Sequence, residues 1–183
     1  MIPETFTRNT EVAIATYDAV DIAAGLGYQT FYPFTSNALA VVSYHLSNIQ
    51  VFSSASEVSN GVFSFLTSSF NLPRVLVGDA YIDIYGHTDA GTWSCSGSVI
   101  LVHGDGTADT TLGTYNAKNF TGASASSPTT CKIAIAQTQI KNGDKLKLTI
   151  GSPDTNNFIY LDPLGAYSIA QTTKIHFPFK IDL

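Results

Sequence analysis

Charge is scarce in this chain. Asp, Glu, Lys and Arg make up 13% of its 183 residues, against roughly 25% in ordinary soluble domains, and Ser and Thr supply much of the polar surface instead. The net charge is −5, from nine basic and fourteen acidic residues. The basic ones are scattered, with Lys141, Lys145 and Lys147 the densest group. A phosphate backbone needs a concentrated positive patch, so no nucleic-acid partner is expected. Long apolar runs are missing as well. None approaches the roughly 18–20 residues that cross a bilayer, and the opening Met1-Ile2-Pro3-Glu4-Thr5 has neither the basic flank nor the apolar stretch of a signal peptide. No membrane association is expected.

Cysteine is limited to two residues. Cys95 falls in the alternation Trp93–Cys95–Gly97–Val99–Leu101 and Cys131 in Cys131–Ile133–Ile135, so both are expected on an apolar face as buried free thiols. An inter-strand disulfide is the alternative, and the spacing resembles no zinc site. The elbow, zinc-helix and phosphate-loop motifs of common enzymes are also absent. His45, His87, His103 and His176 are spread over separate strand patterns and read as structural. Asp89, Asp105 and Asp109 sit in Gly-rich loops where oxygen ligands could meet Ca²⁺. Their spacing does not match an EF-hand, and ordinary Asp-Gly turns account for them. The expectation is a protein without catalytic residues, cofactor or metal.

What fills the chain is the two-residue period of half-buried strands. Ile175, Phe177, Phe179 and Ile181 alternate with His176, Pro178, Lys180 and Asp182, and the same pattern recurs at 145–150 and 81–85. The patterns predict strands near 11–17, 28–34, 38–52 (broken near Ser47), 62–68, 74–86, 93–103, 110–116, 131–137, 145–150, 158–161 and 174–181. Short helical segments are expected only at 17–24 and 138–141. Asn142-Gly143 predicts a hairpin turn, because both residues tolerate positive φ. The inward positions are Trp93, Cys95, Val99, Leu101, Ile133, Ile135, Leu146, Leu148, Ile150, Phe177 and Phe179. A chain built wholly of such strands is all-β, and two antiparallel sheets packed as a jelly-roll or related Greek-key sandwich fit the count. Residues 1–10 read as an N-terminal arm and 11–183 as a single domain.

Three segments carry a resemblance: 17–33 (YDAVDIAAGLGYQTFYP), 70–80 (FNLPRVLVGDA) and 133–148 (IAIAQTQIKNGDKLKL). Together they resemble uncharacterised virion structural proteins of tailed and environmental viruses of bacteria and archaea, of the capsid-decoration or minor-capsid type. The resemblance implies a β-sandwich that coats a capsid, assembled in the host cytoplasm and residing in the virion. Its partners would be copies of itself, as a trimer or other closed oligomer, and a major capsid or other virion protein. The residues offered for those contacts are Ile2, Pro3 and Phe6 of the arm, Asp89 and Trp93 around the loop 86–92, and Phe120, Ser126 and Pro128 around the loop 122–130. A carbohydrate-binding β-sandwich is the other class, with Tyr28, Tyr32, Tyr85, Trp93 and Tyr115 as rings that could stack on sugars.

Overall fold

A computed structural model describes residues 26–38, 41–88, 92–121, 129–152, 157–162 and 171–180. Among these there is no α-helix, and twelve strands account for most of the chain: β1 (Leu26–Ala38), β2 (Val41–Ser47), β3 (Glu57–Ser59), β4 (Gly61–Leu66), β5 (Arg74–Ile84), β6 (Gly86–Thr88), β7 (Thr92–Val102), β8 (Thr110–Thr121), β9 (Thr129–Ile140), β10 (Lys145–Ser152), β11 (Asn157–Tyr160) and β12 (Lys174–Lys180). The protein is all-β, as the alternation predicts.

Nine strands form one mixed sheet in the order β8-β7-β10-β4-β2-β1-β12-β5-β9, and β3-β11-β6 form a small second sheet. Within the large sheet the long strand β1 changes partner along its length: residues 26–31 pair with β12 and residues 32–38 with β2. The two ends of the sheet, β8 and β9, come back together. Gly113 of β8 permits that approach, since a Cβ there would lie 2.6 Å from Ile133 Cγ2 and 3.0 Å from the Ala134 carbonyl. The pairing of β2 with β4, through His45 and Leu66, is parallel. The sheet is therefore mixed and nearly closed, where the patterns alone suggested purely antiparallel pairing.

The core lies within this nearly closed sheet. Cys95, Val99, Leu101, Ile133, Ile135, Leu146, Leu148, Ile150, Phe177 and Phe179 are all buried, as their inward register requires. Phe65, Leu76, Ile82, Ile84, Ile140, Ile159 and Ile175 join them with no exposed surface. Each such side chain contributes about 1.5–3 kcal/mol on leaving water.

Several local expectations are corrected. The segment 138–141 is not helical: Thr138 and Ile140 continue β9 opposite Leu76 and Arg74. Burial of Ile140 overrides the weak helical propensity. The break expected near Ser47 is present, where the Ser47 hydroxyl accepts from the Ile49 amide at 3.2 Å, but no strand resumes over 48–52. The loop expected at 86–92 begins as strand β6, with Gly86 and Thr88 buried. The turn at Asn142-Gly143 forms, but β9 pairs with β5 while β10 pairs with β7 and β4, so it joins separate parts of the sheet. Only Gly143 takes positive φ, 91°, and a two-residue type I′ hairpin requires it at both positions. The Asp144 carboxylate fixes this crossing by accepting from the Lys141 and Gly104 amides at 2.8 and 2.9 Å.

A candidate ligand-binding cleft

An open cleft of about 820 Å³ forms where β1, β2 and the end of β4 meet the segment that leads into β5. Gln29 and Phe31 reach it from the first half of β1, Phe34 from the second, and Tyr44 and His45 from β2. The other wall is residues 67–72, with Arg74 and Lys145 at the starts of β5 and β10. That wall is tied down although it is not a strand. The Thr67 amide donates to the Leu146 carbonyl at 2.9 Å, the Phe70 amide to the Asp144 carbonyl at 2.9 Å, and the Gly143 amide to the Phe70 carbonyl at 2.8 Å.

Aromatic rings and one guanidinium set the chemistry of the cleft. Phe34 stacks on His45 at 5.1 Å and 26°, and the His45 ring is hydrogen-bonded to Ser36 Oγ at 2.9 Å. Tyr44 meets Phe65 edge-on at 5.5 Å. The Arg74 guanidinium lies 5.8 Å from the centre of Phe70 and 5.3 Å from that of Phe179, and its Nη1 donates to Gln29 Oε1 at 3.1 Å. Held on two rings and one amide, it is orientated rather than free to wander. Among the described residues lining the cleft there is no carboxylate. Elsewhere in the fold, Lys132 pairs with Asp79 and Lys147 with Asp109, both at 2.7 Å.

A second polar arrangement crosses the opposite face. Gln29 and Phe31 line the cleft, so strand alternation puts Thr30 on the other side. There Thr30 Oγ1 lies 2.8 Å from His176 Nδ1, His176 Nε2 lies 3.4 Å from Asp83 Oδ2, and Thr130 Oγ1 donates to Asp83 Oδ1 at 2.6 Å. This chain of contacts runs over β1, β12, β5 and β9 in turn. The hydrogen bond from His176 chiefly, helped by that from Thr130, holds the Asp83 carboxyl below its ordinary value despite partial burial. An imidazole between a hydroxyl and a carboxylate has the composition of a catalytic triad, but it stands on a sheet face outside the cleft and acts as a cross-strand tie. The other two histidines also have structural neighbours. His87 stacks on Phe158 at 4.6 Å, and His103 Nε2 lies 3.1 Å from Thr110 Oγ1.

The residues singled out from sequence fare unevenly. Ile2, Pro3, Phe6, Asp89, Ser126 and Pro128 lie outside the described residues. Trp93 and Phe120 are cross-strand partners in the β7–β8 register, and only their backbone is described. Asp105 accepts from the Thr107 amide and hydroxyl at 3.0 and 2.7 Å, closing an ordinary Asp turn. Tyr85 and Tyr115 are buried, 8% and 5% exposed, so as sugar-stacking rings they are corrected: Tyr115 packs into the core from β8, and Tyr85 is buried between β5 and β6. Tyr28 and Tyr32 remain half-buried. The cleft brings together Phe34, Tyr44, Phe70 and Arg74, which sequence reasoning did not combine. Arg74 is one of only two arginines in the chain, and an arginine four residues after an aromatic was the available signal.

No protein-family model matches the chain, and no curated protein matches it. Among solved structures, it is similar to a CocE/NonD family hydrolase from Staphylococcus aureus, with a TM-score of 0.59 and 13% identity over 84% of this chain and 37% of that one. An α-amino acid ester hydrolase matches with a TM-score of 0.42 and 10% identity, over 66% of this chain and 24% of that one. An aminopeptidase from the marine sediment archaeon Thaumarchaeota archaeon matches with a TM-score of 0.39 and 11% identity, over 82% and 31%. The chain thus spans little more than a third, or less, of the solved proteins it matches. At these identities the likeness is one of fold.

Proposed function

We propose that this chain is a structural component of a virus particle, a jelly-roll-type sandwich that works through surface burial and catalyses no reaction. The resemblance of residues 17–33, 70–80 and 133–148 to capsid-decoration and minor-capsid proteins motivates the reading. The observation that carries it in the fold is an apolar strip at the β2–β4 junction. Val41 and Val62 are 64% and 76% exposed, and each stands four residues before the parallel bridge between His45 and Leu66. By parity they lie on one face of the two strands, whereas Val42, 48% exposed, points to the other. Water-exposed valines on neighbouring strands favour contact with another apolar surface. The partners proposed are copies of the chain in a closed oligomer and a major capsid or other virion protein, with contacts near the standard size of about 1,600 Å². Electron microscopy and protein analysis of purified particles test this: a fixed copy number on the shell supports it, and absence from particles overturns it.

The cleft favours a second reading, a carbohydrate-binding module serving host adsorption or acting alone. Its rings, amides and hydroxyls are the groups that hold sugars, rings against C–H faces and polar side chains against hydroxyls. A glycan array tests it, and no binding to any glycan removes it.

A further inference from the structure

Building on the carbohydrate reading, we infer that the cleft selects acidic saccharides, in which a sugar carboxylate meets Arg74 and Lys145. The whole chain carries a net charge of −5, yet both formally charged side chains lining this cleft are cations. A neutral sugar would leave two positive charges without a counter-charge in a partly desolvated site. A carboxylate would supply it, and it fits the planar fork of a guanidinium in a way that it cannot fit an ammonium.

The placement of Arg74 supports the assignment. Phe70, Phe179 and Gln29 fix the plane of the guanidinium, and the single described hydrogen bond uses one of its five N–H donors. An orientated arginine loses little freedom on binding, which favours recognition of one planar group. Around it, Asn48, Ser68, Ser69 and Asn71 offer neutral donors and acceptors for sugar hydroxyls. Phe34 and Tyr44 supply apolar surface. The volume of about 820 Å³ falls within the roughly 300–1,000 Å³ of small-molecule sites.

The test is calorimetric titration of the full chain with sialyllactose and trigalacturonate, beside lactose and galactotriose as neutral counterparts, and with inorganic phosphate. Acidic sugars should bind about ten- to a hundredfold more tightly than neutral ones, the factor expected of a charge-assisted hydrogen bond. Their affinity should fall as salt rises. Arg74→Met preserves packing on the two rings and should bring the affinity for acidic sugars down to that for their neutral counterparts. Arg74→Lys should weaken acidic binding although the charge remains. A thermal melt of each variant shows that it is folded, and Lys145→Gln gives a second variant away from the ring stack. Equal binding of acidic and neutral sugars overturns this inference and leaves the carbohydrate reading intact. Phosphate binding without sugar binding overturns both, as does the absence of any binding.

Discussion

The hydroxyl of Tyr115 in β8 donates to the main-chain carbonyl of Thr149 in β10 at 2.9 Å, passing across Gly97 of the intervening strand β7. In this register Ser98 stands opposite Thr149, and the Ser98 amide donates to Thr149 Oγ1 at 2.8 Å. The ladder is locally rewired so that a tyrosine bridges two strands that are not neighbours. Gly97 makes it feasible, because a Cβ there would collide with both the Thr149 carbonyl and the Tyr115 ring.

Tyr115→Phe should therefore cost about 1–3 kcal/mol, the usual penalty for leaving a buried carbonyl without its partner. Gly97→Ala should cost more, since the clash involves backbone. Urea unfolding of the two variants checks the order, and a Gly97→Ala protein as stable as the parent contradicts it.

At the closure of the sheet, Gly113→Ala sets a methyl against Ile133 and the Ala134 carbonyl. It should lower stability and loosen β8 from β9, read as faster amide exchange confined to those two strands. Unchanged exchange would show that the two ends do not depend on this contact.

The thiols should differ in reactivity. Burial pushes the Cys95 thiol up to about 12, while half-buried Cys131 is raised by the same cause. Both are free thiols. Since the thiolate is the reactive form, a thiol reagent near neutral pH should label Cys131 slowly, Cys95 more slowly still, and both at once in denaturant. Intact mass should reveal no loss of two hydrogens, the signature of a disulfide.

Asp83 gives the fold an acid-sensitive tie. Its folded pKa lies below that of the unfolded chain, so the unfolded state binds the proton more readily. The stabilisation is complete above the ordinary Asp value of about 3.9 and is lost as pH falls through the lower folded value. Asp83→Asn should flatten the fall in stability over that acid window. If the variant shows the parent's pH dependence in urea titrations, other carboxylates dominate.

Val41→Ser with Val62→Ser should leave the monomer's stability within about 0.5 kcal/mol, as expected of exposed positions, but reduce self-association or attachment to particles. Sedimentation of parent and variant measures the first effect. An unchanged oligomer with unchanged particle occupancy would remove the strip from the interface.

The alternation of residues determined the all-β class and the inward set from Cys95 to Phe179, because side-chain direction in a strand follows from parity alone. Local chemistry also placed the turn at Asn142-Gly143. It did not tell which strands would meet. Pairing is a long-range choice, and neither the switch of β1 from β12 to β2 nor the parallel contact of β2 with β4 leaves a mark in any window of sequence. The cleft has the same origin. Gln29, Phe34, Tyr44, Phe70, Arg74 and Lys145 are separated by long stretches of chain, and only the crossing of β1, β2 and residues 67–74 makes them neighbours. Tyr115 is the converse case. Sequence offered it as a ring that could stack on a sugar, and whether it would do so or lock two strands together was decided by what packed over it: Gly97 on one side and a backbone carbonyl at the end.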